Sequence, residues 1–490
     1  MNESIVHKRF LAALAGAGVI GAAFIPGFPV GINFPLTGAA VIAAVLAAKP
    51  TKLSIEATCL GTLGSALVLM MAIRSAPWVL AADLLVALGL ACLAVGGASS
   101  WVRAVRSVLS PVMRLIEVPR FLANILPKRK SPSERRPVAH ATKGIALAAP
   151  LLIIFGSLFA SADPAFAHLV NALIPRLGFF EFWSRLGVFL LVAVGTAALV
   201  LAGPRLVAAH PGGIVYKTFS QAASRLEATH ERLRRLKTLE WSIPLVTVNF
   251  LFGLFIAVQV SVLFGGNSYV LQTEGLTYAE YAREGFFQLI FASALTLGVV
   301  ALASIFSARP SPKDASLLRI LLAALCVLTL VVLASSLRRL GLYEQAFGFT
   351  SARMVAHAVI YWIGGLLVSI LATAALRRPQ WLPRAAIGFT SLGLLVLTIM
   401  NPDAMVANRN IERFRYTGKI DSAYLSTLSP DAAPAIMRLP PTLRKPILES
   451  ITKGIARDEP WSSWNYGRAR ARNLRNAEGL EALPRPLSSF

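Results

Sequence analysis

The chain has 490 residues, of which 56% are hydrophobic and only 15% charged, with a mean hydropathy of +0.64. Ordinary soluble proteins carry about 25% charged residues, so a string of soluble domains is excluded and an all-α integral membrane protein is expected. Lys and Arg outnumber Asp and Glu by 48 to 24, a formal net charge of +24, and the placement of that excess reports orientation.

A helix needs roughly 17–25 mostly apolar residues to cross a bilayer core of about 30 Å, because every backbone polar group must be bonded internally. Eleven stretches approach this length. They are Phe10 to Ile25, Pro29 to Ala48, Leu53 to Ile73, Pro77 to Gly97, Gly144 to Ala162, Trp183 to Gly203, Trp241 to Phe264, Gly285 to Phe306, Ser316 to Ser336, Arg353 to Ala374 and Ala385 to Met400. The first and last, at 16 residues, are the weakest. Lys8 and Arg9 before the first, with Gly21, Ala22 and Ala23 at its close, give it a secretory-signal look. Retention is the preferred reading, and cleavage would leave the orientation of the rest unchanged.

With the N-terminus inside, the inside segments hold 27 Lys and Arg and the outside loops 7, while the tail from Asn401 to Phe490 holds 14. Eleven spans put that tail outside. The chain then divides into an N-terminal four-helix membrane segment (1–98), a basic cytoplasmic segment and linker (99–143), a seven-helix membrane core with a cytoplasmic helix at 216–240 (144–400), and a helical extracytoplasmic domain (401–490). From Trp101 to Leu126 the apolar residues Trp101, Val105, Val108, Val112, Leu115 and Leu122 share a stripe, with Arg103, Arg106, Arg114 and Arg120 off it. Such basic amphipathic helices lie on anionic membrane faces, so anionic lipid at the cytoplasmic face is the expected partner. No aromatic-interleaved basic motif accompanies the high charge, and nucleic-acid binding is not expected. In the tail, Asp421, Ser429 before Pro430, and Pro440 before Pro441 mark helix starts, and Trp461 to Ala477 reads as a basic helix.

Familiar catalytic patterns fail. GAGVIG at Gly16 to Gly21 has dinucleotide-loop spacing, but it sits in an apolar span and no acid follows, so close helix packing is the better reading. There is no GxxxxGK[ST], HExxH or GxSxG. Cys59, Cys92 and Cys326 all lie in apolar stretches without a CxxC pair, so no metal site and no cofactor are expected.

Ionisable residues within spans are functional candidates by default. Glu56 and Asp83 lie in the third and fourth stretches. A buried carboxylate pair could carry a proton, whereas a Glu56 near Lys52 could simply reach the interface. His357 and Tyr361, four apart, are expected to pack on each other. A larger polar set falls on the outside face: Asp163 at the end of the fifth span; Tyr281, Arg283 and Glu284 opening the eighth; Arg338, Arg339, Tyr343, Glu344 and Arg353 in the loop between the ninth and tenth; and Asn401, Asp403, Asn408, Arg409 and Asn410 after the eleventh. Arg offers a planar fork for phosphate or carboxylate, and Asn paired donors and acceptors. Two readings follow: an ion-pair and hydrogen-bond network docking the tail on the membrane part, or a site for an anionic ligand or envelope protein.

These residues also carry a resemblance. SLFASADPAF (Ser157 to Phe166), YAREGFFQL (Tyr281 to Leu289), RRLGLYEQAFGFTSAR (Arg338 to Arg353), NPDAMVANRNI (Asn401 to Ile411) and GKIDSAYLSTLSPDAAP (Gly418 to Pro434) together resemble the bacterial multi-pass inner-membrane family known as domain of unknown function 4153/4173, over about Gly144 to Pro434. The first four spans look less like a shared core. The resemblance implies an inner-membrane location and supplies no activity. Three functions follow in order of preference: a sensing or scaffolding protein of the envelope, a transporter possibly coupled to protons through Asp83 and Glu56, and an enzyme acting on a lipid-linked phosphate or glycan. Alkaline phosphatase fused after Phe490 is expected to be active, and a fluorescent protein fused there dark; the reverse pattern would show that one span is miscounted.

Overall fold

The computed structural model describes residues 3–48, 54–119, 179–202, 236–264, 286–455 and 459–480. These are helical, with one isolated bridge pairing Leu236 and Ser307. In chain order the long helices are α1 (Glu3–Phe24), α2 (Asn33–Ala48), α3 (Ile55–Met70), α4 (Pro77–Gly96), α5 (Trp101–Arg114), α6 (Phe179–Leu201), α7 (Thr238–Phe264), α8 (Phe286–Phe306), α9 (Pro312–Phe347), α10 (Ser351–Ala375) and α11 (Leu382–Met400). Five helices of the tail follow: α12 (Pro402–Thr417), α13 (Ser422–Leu425), α14 (Ala433–Ile436), α15 (Pro441–Thr452) and α16 (Tyr466–Ala477). Among the described residues, seven helices are long and apolar enough to cross a membrane: α4 and α6 to α11. Three more apolar helices, Arg9–Phe24 within α1, α2 and α3, are shorter. The expected span Gly144 to Ala162 and most of the helix at 216–240 lie outside the described residues.

Small residues let the first hairpin close on α6. A Cβ on Gly18 would stand 2.8 Å from the Phe189 ring, and one on Gly21 would stand 2.9 Å from Val192, so the glycine pattern in α1 is close packing. Phe10, Leu14 and Ala17 of α1 are buried with Ala197, Ala198, Val200 and Leu201 of α6. A second cluster joins α3, α4, α5 and α11 through Leu60, Leu67, Ala87, Leu90 and Ala104. A third joins α8, α9 and α10 through Val300, Leu325, Leu333, Ile360 and Leu367. The tail has its own core of Val406, Ile411, Leu425, Ile436, Leu448, Ile451 and Ala471.

At one end of the bundle, Glu56 at the start of α3 accepts from Ala98 N–H (2.9 Å) beyond α4 and pairs with Arg384 of α11 (3.2 Å). This is a specific tie between helices rather than a side chain reaching for solvent. At the same end Thr238 of α7 bonds Asp314 of α9 (3.1 Å), and Ser311 and Asp314 form a reciprocal cap. The α5 stripe is the reverse of a core face: Trp101, Val105, Val108 and Val112 are exposed, while Ala104, Ser107, Ser110 and Arg114 are buried.

Two boundaries differ from the sequence reading. The ninth span does not stop at Ser336: α9 runs on through Phe347, because RRLGLYEQAF contains no Pro and its one glycine, Gly341, keeps helical geometry, whereas Gly348, at φ +84°, ends the helix. Arg338, Arg339, Tyr343 and Glu344 are therefore helical, not in a loop. The expected helix Trp461 to Ala477 is a 3-10 turn followed by α16, because Asn465 caps the helix through Arg468 N–H (3.1 Å). The α10–α11 contact is close enough that a Cβ on Gly365 would fall on the Phe389 ring. Gly365→Ala is expected to cost about 1–3 kcal/mol by overpacking and to lower the melting temperature in detergent; an unchanged melting curve would contradict this packing.

Candidate functional site

The polar residues gather at the end of the bundle formed by the α1–α2, α3–α4 and α9–α10 turns, where the tail packs. The chain leaves α11 through Asn401, whose φ of +58° turns it sharply. Its side chain caps α12 through Ala404 N–H (3.2 Å) and donates to the Asp431 carbonyl (3.2 Å). Asn is one of the few residues that tolerates this conformation and caps at the same position.

The densest contact is at the α3–α4 turn. Asn465 donates to the carbonyls of Met71 (3.1 Å) and Arg74 (2.7 Å), Tyr466 N–H to Ala72 (2.9 Å) and Gly467 N–H to Ile73 (3.1 Å). Four consecutive carbonyls are thus taken by three consecutive tail residues. Arg74 in turn donates to the carbonyls of Thr398 (2.8 Å) and Ile399. Asp431 accepts from Ser75 N–H (2.6 Å) and Ala76 N–H (3.3 Å) at the start of α4, where the helix dipole favours a carboxylate. Burial pushes the Asp431 carboxyl above its ordinary value of 3.8, opposed by the Ser75 N–H bond and the Arg74 charge. At the α1–α2 turn, Ile32 N–H donates to Trp464 O (2.9 Å) and Arg468 to Val30 O (2.7 Å). A Cβ on Gly31 would fall on the Ser463 backbone.

The α9–α10 turn is held in the same way. Asn410 accepts from Phe349 N–H (2.9 Å) and donates to Phe349 O (2.8 Å), a two-bond clasp on the backbone of one residue. Arg413 donates to Gln345 O (3.1 Å) and Ala346 O (2.7 Å), and Ser351 N–H to the Tyr424 hydroxyl (2.6 Å). Buried Asp403 accepts from Ser429 N–H (3.0 Å) and Ser351 Oγ (3.4 Å). Arg353 bonds Gly348 O and stacks over the Tyr343 ring at 4.1 Å. Glu344, 4% exposed, holds His357 Nε2 at 3.0 Å, and the His357 and Tyr361 rings stack with centroids 6.3 Å apart.

Of the residues expected at this face, Tyr343, Glu344, Arg353, Asn401, Asp403 and Asn410 are engaged in this network. Asn408 accepts from Arg438 within the tail (2.7 Å), exposed Arg409 stands 3.8 Å from Glu412, Arg338 is exposed and Arg339 half-buried. Asp163, Tyr281, Arg283 and Glu284 lie outside the described residues. Asp83 and Glu56 do not meet: Glu56 bonds Ala98 beyond the far end of α4, about 20 Å along that helix from Asp83. Asp83 is fully buried and accepts from Thr398 Oγ1 of α11 (2.9 Å).

Sequence reasoning missed Asn465, Asp431, Arg74, Tyr424, Arg413 and Arg468. Asn465, an Asn just before a helical run, carried a cap signature that the longer helix expectation overrode. The rest pair with backbone groups 67 to 438 residues away, for which no local pattern exists. The model of a family described as domain of unknown function, DUF4153, matches residues 62–439. The match begins within α3, so it takes in the third and fourth stretches that the resemblance had left aside. No curated protein and no solved structure matches the chain.

Asn465→Ala removes three hydrogen bonds, one of them a helix cap worth about 1 kcal/mol by itself. It is expected to raise protease cleavage between α11 and α16 in the folded protein; cleavage at the wild-type rate would contradict the docking geometry. For Asp431, a raised folded-state pKa means that ionisation opposes folding. The contribution of Asp431 to tail stability is most favourable in acid and falls as pH rises from the ordinary carboxylate value through the raised one. Asp431→Asn should flatten that dependence in a thermal-melting series, and an unchanged slope would refute it.

Proposed function

The chain belongs to the DUF4153 family, and within that family we propose that this membrane protein is a non-enzymatic scaffold or sensor that presents a helical domain rigidly at one face of the bilayer. One observation carries this reading. Tail side chains and amides bond the backbone of three separate inter-helix turns, at 30–32, 71–76 and 345–351. Hydrogen bonds already made to neighbours occupy the donors and acceptors a ligand would need, and rigidity is what such a network supplies. Arg353, too, turns to its neighbours, donating to Gly348 O and stacking on the Tyr343 ring.

In this reading the protein sits in a bacterial inner membrane with its N-terminus inside and the tail outside, where an envelope protein or anionic ligand would meet the docked domain. The excess of Lys and Arg in the segments on the N-terminal side supports that orientation. The exposed apolar stripe of α5, with Arg103 beside it, supports contact with anionic lipid at the inner face.

The test separates rigidity from ligand binding. Arg353→Ala should lower the detergent melting temperature and loosen the tail, with a loss of about 1.5–3 kcal/mol for a charged hydrogen bond. An unchanged melting curve combined with lost capture of an anionic ligand would overturn the scaffold reading in favour of a binding site.

A further inference from the structure

The short helices at the N-terminal side set a constraint on where the tail lies. α2 and α3 have 16 residues each, about 24 Å at 1.5 Å per residue, against a hydrocarbon core of about 30 Å. The turn after α3, whose helix is capped at both ends by Ser54 and Met71, therefore lies within or at the edge of the apolar layer. Backbone groups at that depth must be bonded to protein. In this structure they are: Val30 O, Ile32 N–H, the carbonyls of Met71, Ala72, Ile73 and Arg74, and the N–H groups of Ser75 and Ala76 all find partners in the tail.

The segment that supplies most of those partners has an outer side of different character. Trp461 is 65% exposed, Trp464 43% and Tyr466 45%. Trp461 stands edge-on to Phe24, the last residue of α1, with ring centroids 5.3 Å apart. Arg470, one turn beyond Tyr466, is also exposed. Among the described residues beside it, the acid Glu459 is turned inward on Arg468 (2.9 Å) and Arg472 (3.7 Å). The outward face is therefore aromatic and cationic. Large aromatics with a polar edge concentrate at the boundary between headgroups and acyl chains, and an Arg beside them reaches phosphate.

We propose that Trp461, Trp464 and Tyr466, with Arg470, form an interfacial anchor that contacts phospholipid in the leaflet at the turn end of α1 to α3. The tail domain is then seated partly in the headgroup layer instead of standing clear of it. The occupant is lipid because the face continues the ends of the apolar helices at the depth their length dictates. The inference is independent of scaffold function and of which side of the membrane this end faces.

The experiment places the full chain in nanodiscs of phosphatidylcholine whose acyl chains are brominated either near the glycerol backbone or near the chain terminus. Tryptophan emission of the wild type is compared with that of the Trp461→Phe, Trp464→Phe double variant, which keeps the rings. The difference spectrum isolates these two indoles, and each single substitution reports its own indole if the double variant melts early. The anchor predicts blue-shifted difference emission, quenched roughly twofold by the shallow bromines and less by the deep ones. Difference emission that ignores both bromolipids overturns it: quenching by aqueous iodide would show a water-facing surface, and protection from iodide a face covered by protein.

Discussion

Four consecutive carbonyls, from Met71 to Arg74, set the terms for the rest of this structure. They end α3 at the edge of the bundle, where water is scarce, and a helix terminus buried without partners is costly. Asn465, Tyr466 and Gly467, almost four hundred residues later in the chain, take all four. That pairing fixes α16 against the membrane helices. Through the tail's own apolar core it also fixes α12 to α15, and so Asp403, Asn410 and Tyr424 over the α9–α10 turn. The tail-end network is therefore one assembly seen at three turns.

The two ends of the bundle are built differently. At the tail end, side chains mostly serve backbone groups, a pattern in which each bond is short-range and specific. At the opposite end, Glu56 with Arg384 and Thr238 with Asp314 tie helices side chain to side chain. There α5 turns Trp101, Val105, Val108 and Val112 away from the protein. The tail end is thus a docked platform, and the opposite end carries a helix whose exposed side is apolar and basic.

How much of this could be read in the sequence follows from the range of each interaction. Ten of the eleven apolar stretches correspond to described helices, because a span is encoded by its own composition. Asp421 and Pro441 marked helix starts correctly, since caps and first-turn prolines act within a few residues. The GAGVIG reading as packing held, because small residues in an apolar run have one common use. The ninth span ran past its expected end because hydropathy stops at Ser336 while helix propensity does not, so Glu344 came to rest on a helix one turn-pair from His357. The gathering of Tyr343, Glu344, Arg353, Asn401, Asp403 and Asn410 at one end was legible from span parity. What each of them bonds was not, because Glu344 meets a side chain on the next helix and Asn401, Asp403 and Asn410 meet backbone groups of distant segments, which have no signature in sequence.

The most direct measurement is hydrogen–deuterium exchange of the full chain in nanodiscs, read at the amides of Ile32, Tyr466 and Gly467, which donate across the junction between tail and bundle. The docked structure predicts that these amides exchange as slowly as those in the tail core around Ile436 and Leu448, on the timescale of opening the whole domain. Exchange of the three within seconds, with the tail core still protected, would show a domain tethered to the membrane helices rather than built onto them.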